Sequence, residues 1–463
     1  MPRHINGTPG KKRNQQPQLA SPSPHQIIAV RGPFWRWISP WYGAYAILGA
    51  TTSGLAALLI PLVIDRVGGS ATVIGAAVAA QNIGAVSAPI WGELADRRRA
   101  YHAIFFSGFL VIALGFLGFS LLSGFGVWVV SAYLIGLGTG ASNTVASLFV
   151  FEFTPKSEWS QRISWLQTFN ACGSVLGMAA AGFLEPRVGM ALAALLALPA
   201  IAIGRRGLPP PRVPPHTPHV LNGKELTALV RRGGPRAAVL HMHRWRPTHL
   251  LRVGAGDLAS PFGLFLLGWF AYTLGVSSFG SLYPVLMRKN FAVPTKPAAM
   301  LISIATAVSI PLYNLAGRFA ARYGAPIELA AGYTVRLLAM AGMAVLAYYR
   351  PLFSFSGAIV IFAMYEGIWP SLSVASNDLV GFLAPFGEGP AMGLFNAIGA
   401  IASAFGALAG GTIADHFGYS AVPLFAAFAI AAALSTVHPQ ARLETTLDSD
   451  LDKTAPEVDS SDV

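Results

Sequence analysis

Twelve stretches of about 20 mostly apolar residues, spread along 463 residues, constrain this chain more than any other feature. They fall near 41–64, 72–92, 101–123, 126–150, 162–184, 187–204, 262–287, 298–316, 326–348, 354–379, 391–413 and 418–437. A helix rises about 1.5 Å per residue, so such a run is long enough to cross a hydrocarbon core of about 30 Å. In that core the backbone must satisfy its own N–H and C=O groups, which a helix does within one segment. Pro61, Pro89, Pro284, Pro311 and Pro370 lie inside the runs; they would weaken a soluble helix but are tolerated in a bilayer.

Only 11% of the residues are charged, where a soluble domain carries about 25%. The charges gather between the runs and in the tails, and their sign sets an orientation. With the N-terminus in the cytoplasm, that side holds 25 Lys/Arg, the other side holds 6, and Arg336 lies inside a run. The excess of bases on the inside predicts a multi-pass protein of the cytoplasmic membrane with both termini cytoplasmic. The net charge of +12 is thereby explained by topology, and no nucleic-acid partner is expected.

The expected organisation is a polar tail over 1–36, six helices over 37–204, a basic, Pro-rich linker over 205–260, six helices over 261–438 and an acidic tail over 439–463. Within the linker, HMHRWRPTHLLR reads as a solvated loop beside anionic lipid, and His241 with His243 lacks the further ligands a metal site needs. The one cysteine, Cys172, excludes an internal disulfide. The two halves share landmarks: Pro61 and Pro284, Gly92 and Gly317, Pro155 and Pro385, and Gly182/Gly189 with Gly411/Gly418 recur at offsets of 223 to 230 residues. A duplicated set of six helices predicts an all-α integral membrane protein, twelve transmembrane helices in two six-helix bundles with pseudo-two-fold symmetry.

Several motifs add a family likeness. The hairpin after the second run reads GELADRRRA, the link after the fourth FEFTPKSEWSQR, and the eleventh run ends AGGTIADHFGYS. With the six-linker-six layout these resemble the major facilitator superfamily over nearly the whole chain. The resemblance implies a gradient-driven carrier that moves a small solute, by uptake or efflux, through alternating access to a site between the halves. It also implies a gating hairpin of Gly92, Asp96, Arg97 and Glu152, with Gly317 and Arg318 in the second copy. Asp96 would face a helix start of the other half, and Arg97 would pair with Glu152. The second copy, AGRFAARYG, has Ala321 where the aspartate stands, and Leu134 occupies a place where many proton-coupled members have arginine.

Charges inside a span are costly and are functional candidates. Arg336 and Glu366 are each fifteen residues from Pro351, so a hairpin turning there sets them at one depth. They are expected to pair, either as a static bridge or with Glu366 taking a proton or substrate. Asp378 lies nearer the cytoplasmic end of the same run. Further cavity candidates are Tyr45, Gln81, Asn82, Asn143, Gln167, Asn170, Tyr272, Tyr365 and Trp369. A cavity poor in charge and rich in aromatics favours a neutral or amphiphilic solute, with protons as a candidate coupling ion. Gly136, Gly138 and Gly140, Gly173 with Gly177, and Gly406 with Gly410 are read as helix-packing positions; no lysine follows them as a nucleotide loop requires, so no cofactor is expected. The acids are too scattered for an enzyme. The remaining alternative is a carrier-like protein kept as a sensor or structural subunit, and a monomer is expected.

Overall fold

The computed structural model describes residues 37–98, 100–154, 158–208, 260–349, 354–383 and 388–437. The expected tails, 1–36 and 439–463, and nearly all of the linker lie outside the described residues. Among those described there is no strand, and the chain runs as twelve rods. In the first half these are α1 (Tyr42–Arg66), α2 (71–98), α3 (Tyr101–Leu121), α4 (Phe125–Phe153), α5 (Trp159–Ala181) and α6 (Pro186–Gly207). In the second they are α7 (Pro261–Gly280), α8 (Thr295–Tyr323), α9 (Ala325–Tyr349), α10 (354–383), α11 (Glu388–Phe417) and α12 (Ala421–Ser435). Ten are long and apolar enough to cross a membrane. The other two fall short for different reasons: α5 has 23 residues but carries Gln161, Arg162, Gln167 and Asn170, whereas α12 is apolar but only 15 residues long.

Two of the expected runs are divided near a proline, whereas Pro61 and Pro311 lie inside continuous helices. Pro370 has no N–H to offer the carbonyl of Glu366, and α10 accordingly divides into Ser354–Gly367 and Trp369–Leu383. The expected run 262–287 is also divided: α7 ends at Gly280, and Pro284 sits in the first turn of a short helix, Tyr283–Phe291. In α1 the hydroxyls of Thr51 and Thr52 donate back to Ile47 O (2.9 Å) and Leu48 O (2.8 Å), where the helix widens to a π-helical stretch over Gly49–Leu55. Such widening is frequent at functional sites.

Lipid gives helices no hydrophobic reason to associate, so close packing of small residues must hold them. A Cβ on Gly54 would lie 2.7 Å from the Cα of Gly177, which brings α1 and α5 into backbone contact. A Cβ on Gly410 would lie 2.8 Å from the Cα of Ser278, and Ser277 Oγ donates to Ser403 O at 2.7 Å, joining α7 to α11 in the same way. The pairs α1–α5 and α7–α11 are equivalent under the repeat. Between the halves α2 meets α11 and α5 meets α8, contacts that the pseudo-two-fold exchanges, and α1 meets the short helix Tyr283–Phe291. Leu110, Leu114, Leu117 and Leu121, at helical spacing on α3, are all exposed, as a lipid-facing stripe would be.

Candidate functional site

Three helices of the second half build an aromatic box around one cation. Trp269 and Tyr272 come from α7, Tyr333 and Arg336 from α9, and Tyr365, Glu366 and Trp369 from α10; residues three apart share a helix face, so each helix presents its set together. The Arg336 guanidinium carbon lies 4.0 Å from the centre of the Tyr365 ring, 5.5 Å from Trp369 and 5.7 Å from Tyr272. Tyr272 stacks on Tyr333 with ring centres 4.8 Å apart, and Phe395 of α11 closes the side against Trp269 at 4.6 Å. Arg336 is 2% exposed. Cation–π contact gives about 0.5–2 kcal/mol for each desolvated ring, which offsets part of the cost of burying the charge.

Among the described residues no salt bridge joins Arg336 to Glu366, and the guanidinium lies over the Tyr365 ring instead. Arg336 Nε, Tyr272 Oη and Tyr333 Oη are all buried without a hydrogen-bond partner. Glu366 and Trp369 are half-buried. Asp378, farther along α10, is exposed. A buried acid that the sequence reading missed, Glu328 in the first turn of α9, is 1% exposed, with neither carboxylate oxygen hydrogen-bonded.

The first-half candidates divide into two groups. Asn170 Nδ2 donates to Tyr45 O at 3.4 Å, and the Gln167 side chain approaches the Tyr45 hydroxyl, so these three residues of α1 and α5 form a polar patch. On α2, Asn82 Nδ2 donates to Val78 O at 3.1 Å in its own helix. Gln81 is half-buried with its carbonyl against Gly136, and Asn143 on α4 is exposed. Neither Gln81 nor Asn143 is brought to the patch by a described contact.

The halves are fastened at one end, which carries the α1–α2, α5–α6, α7–α8 and α11–α12 turns. Asp415, at the end of α11, accepts from the backbone N–H groups of Ala71 (2.9 Å) and Thr72 (2.7 Å), capping the start of α2 across the halves. Asp65, at the end of α1, pairs with Arg288 and with Lys289 (2.9 Å), and its side chain is 3% exposed. Ser303 Oγ of α8 donates to Val175 O of α5 at 2.7 Å, and Lys296 lies 4.4 Å over the Phe183 ring. Toward the opposite end α2 turns to its own half: Gly92 faces Thr144 of α4, and Thr144 Oγ1 donates to Ala88 O at 3.4 Å. There Tyr313, Leu315, Phe319 and Tyr323 of α8 are exposed. Of the expected gating hairpin, Arg318 is exposed; the side chains of Asp96, Arg97 and Glu152, and the surroundings of Gly317, lie outside the described residues. Sequence reasoning passed over both fastening aspartates, although Asp415 sits inside the quoted motif AGGTIADHFGYS.

Solved structures share this architecture. A D-xylose-proton symporter superposes with a TM-score of 0.65 at 15% identity, covering 87% of this chain and 97% of its own. The nucleoside transporter NupG, as a single-substitution mutant, gives 0.65 at 11% identity, covering 87% and 99%. The xylose transporter XylE from E. coli, in an inward-open conformation, gives 0.59 at 15% identity, covering 86% and 95%. At these identities the likeness concerns the fold. Among curated proteins no relative matches the sequence. Residues 41–388 match the model of the Major Facilitator Superfamily, about three quarters of the chain, and the protein belongs to that family of membrane transporters.

Proposed function

We propose that the protein is a secondary transporter of one small solute, neutral or amphiphilic, caught in the state that is closed outside and open to the cytoplasm. The observation that carries this reading is the asymmetry of the two ends: Asp415 on the α2 amides and Asp65 with Arg288 and Lys289 fasten one, whereas among the described residues of the other end the last part of α2 meets α4 and α3 of its own half, and Tyr313, Leu315, Phe319 and Tyr323 of α8 are exposed. The box around Arg336 stands near the middle of α9, at the depth where alternating access needs a site.

In this reading six helices over 37–204 rock against six over 261–438, the basic linker 205–260 and both tails are cytoplasmic, and the protein sits in the cell membrane. One chain supplies both walls of the pathway, so it works as a monomer. Gly92, Asp96, Arg97, Glu152, Gly317 and Arg318 close the cytoplasmic end when the outer end opens. The Tyr45–Gln167–Asn170 patch holds the uncharged part of the solute, with Gln81, Asn82 and Asn143 lining its way in.

Reconstitution of the full chain into proteoliposomes tests the proposal. A panel of sugars, nucleosides and aromatic acids is followed as counterflow and under imposed proton gradients, in both directions, which separates uptake from efflux. Saturable flux of one class is expected. Binding without flux of any class would overturn transport and leave a sensor.

A further inference from the structure

The box around Arg336 holds three buried polar groups that have no hydrogen-bond partner, one of them on a cation. Arg336 forms no hydrogen bond or ion pair among the described residues, and its Nε is buried and unpartnered, as are the Tyr272 and Tyr333 hydroxyls. Its guanidinium carbon lies 4.0 Å from the centre of the Tyr365 ring, a contact that uses none of its N–H groups as a hydrogen-bond donor to an oxygen. Their planar fork matches a carboxylate in two parallel bonds. A buried donor left unsatisfied costs about 1–3 kcal/mol, so a ligand that brings acceptors to these groups recovers that energy.

Glu366, next to Tyr365 on α10, is half-buried and forms no salt bridge with Arg336 among the described residues. Its carboxylate is thus a competitor of the same chemistry as the missing acceptor. Beside them the half-buried Trp369 and the packed rings of Trp269 and Phe395 supply apolar surface. We propose that Arg336 is an anion-receiving subsite and that the solute is an amphiphile with a carboxylate on Arg336 and an apolar, aromatic-sized body against the tryptophans. This rests on the transporter reading and narrows its solute class.

The test uses the full-length protein in detergent with benzoate, benzyl alcohol, benzylamine and phenyl phosphate as probes, read by thermal stabilisation and tryptophan fluorescence. Benzoate should bind at least about tenfold more tightly than the alcohol or the amine. Arg336→Gln should abolish that preference and Arg336→Lys should retain part of it. Glu366→Gln, which removes the competing carboxylate, should tighten benzoate binding roughly tenfold; it also gives a readout if the arginine variants fail to fold. Equal binding of alcohol and acid, preference for the amine, or weaker benzoate binding in Glu366→Gln would overturn the proposal. Tighter binding of phenyl phosphate than benzoate would overturn the carboxylate and leave a tetrahedral anion. Counterflow separates the two readings: benzoate binding without any flux removes transport alone, and flux of a neutral solute without anion binding removes the subsite alone.

Discussion

Tyr365 and Glu366 are neighbours in sequence yet point about 100° apart around α10, and it is the tyrosine ring that lies against Arg336. The charge of Arg336 therefore depends on a ring face more than on a carboxylate. Tyr365→Phe keeps that face and should change stability by under about 0.5 kcal/mol, whereas Tyr365→Leu keeps bulk but removes the face and should cost about 1–2 kcal/mol. Thermal unfolding in detergent measures both, and equal losses would mean that volume alone holds the site. Depth was legible from the sequence, because residue counts from Pro351 place Arg336 and Glu366 level. Rotation was not: an error of one residue in the facing edge exchanges a salt bridge for a cation–π contact, and nothing local to YEGIWP fixes that angle.

At the scale of the helix, α2 begins under a borrowed cap. Its first amides, Ala71 and Thr72, are bonded by Asp415 from a helix more than 340 positions away. Loss of a capping side chain costs about 0.5–2 kcal/mol, so Asp415→Ala should accelerate hydrogen exchange at the Ala71–Thr72 amides by about twofold to thirtyfold, with Asp415→Asn in between. Unchanged exchange would show that these amides find other acceptors. Small residues give a second handle. Gly410→Val puts a side chain where a Cβ already lies 2.8 Å from the Ser278 Cα and should sharply reduce the yield of folded protein; Gly126→Val, with no atom within 4 Å of its Cβ, should not. Folded Gly410→Val in wild-type yield would count against backbone contact between α7 and α11. The glycines were readable as packing positions from their spacing, whereas the runs holding Pro284 and Pro370 were expected to be continuous and are divided in the structure. The Asp415 cap was not readable, since an acid at a helix end reads equally well as a membrane-interface residue until its partner helix is known.

For the molecule as a whole, two independent fastenings hold the same end, one between α2 and α11 and one between α1 and the short helix Tyr283–Phe291. Asp65 answers two cations with a single carboxylate, and its side chain is 3% exposed while Arg288 and Lys289 are 36% and 44% exposed. Replacing that carboxylate leaves two adjacent cations of the short helix without their partner on α1. Asp415 works instead through backbone amides, so the two contacts share no partner and their free energies should add to within about 0.5 kcal/mol. A two-state rocking equilibrium responds to the sum, about tenfold for each 1.4 kcal/mol. Spin labels on Val67→Cys and Phe417→Cys, both exposed at this end on opposite halves, report it once the exposed Cys172 is changed to serine. Asp65→Asn and Asp415→Asn should each add a longer-distance population, and the double variant should have the largest, with the product of the two equilibrium shifts. A double variant whose distances match those of the parent would mean that neither aspartate sets the closed end, and the asymmetry of the ends would then have to arise from the packing of α5 on α8 through Val175 and Ser303.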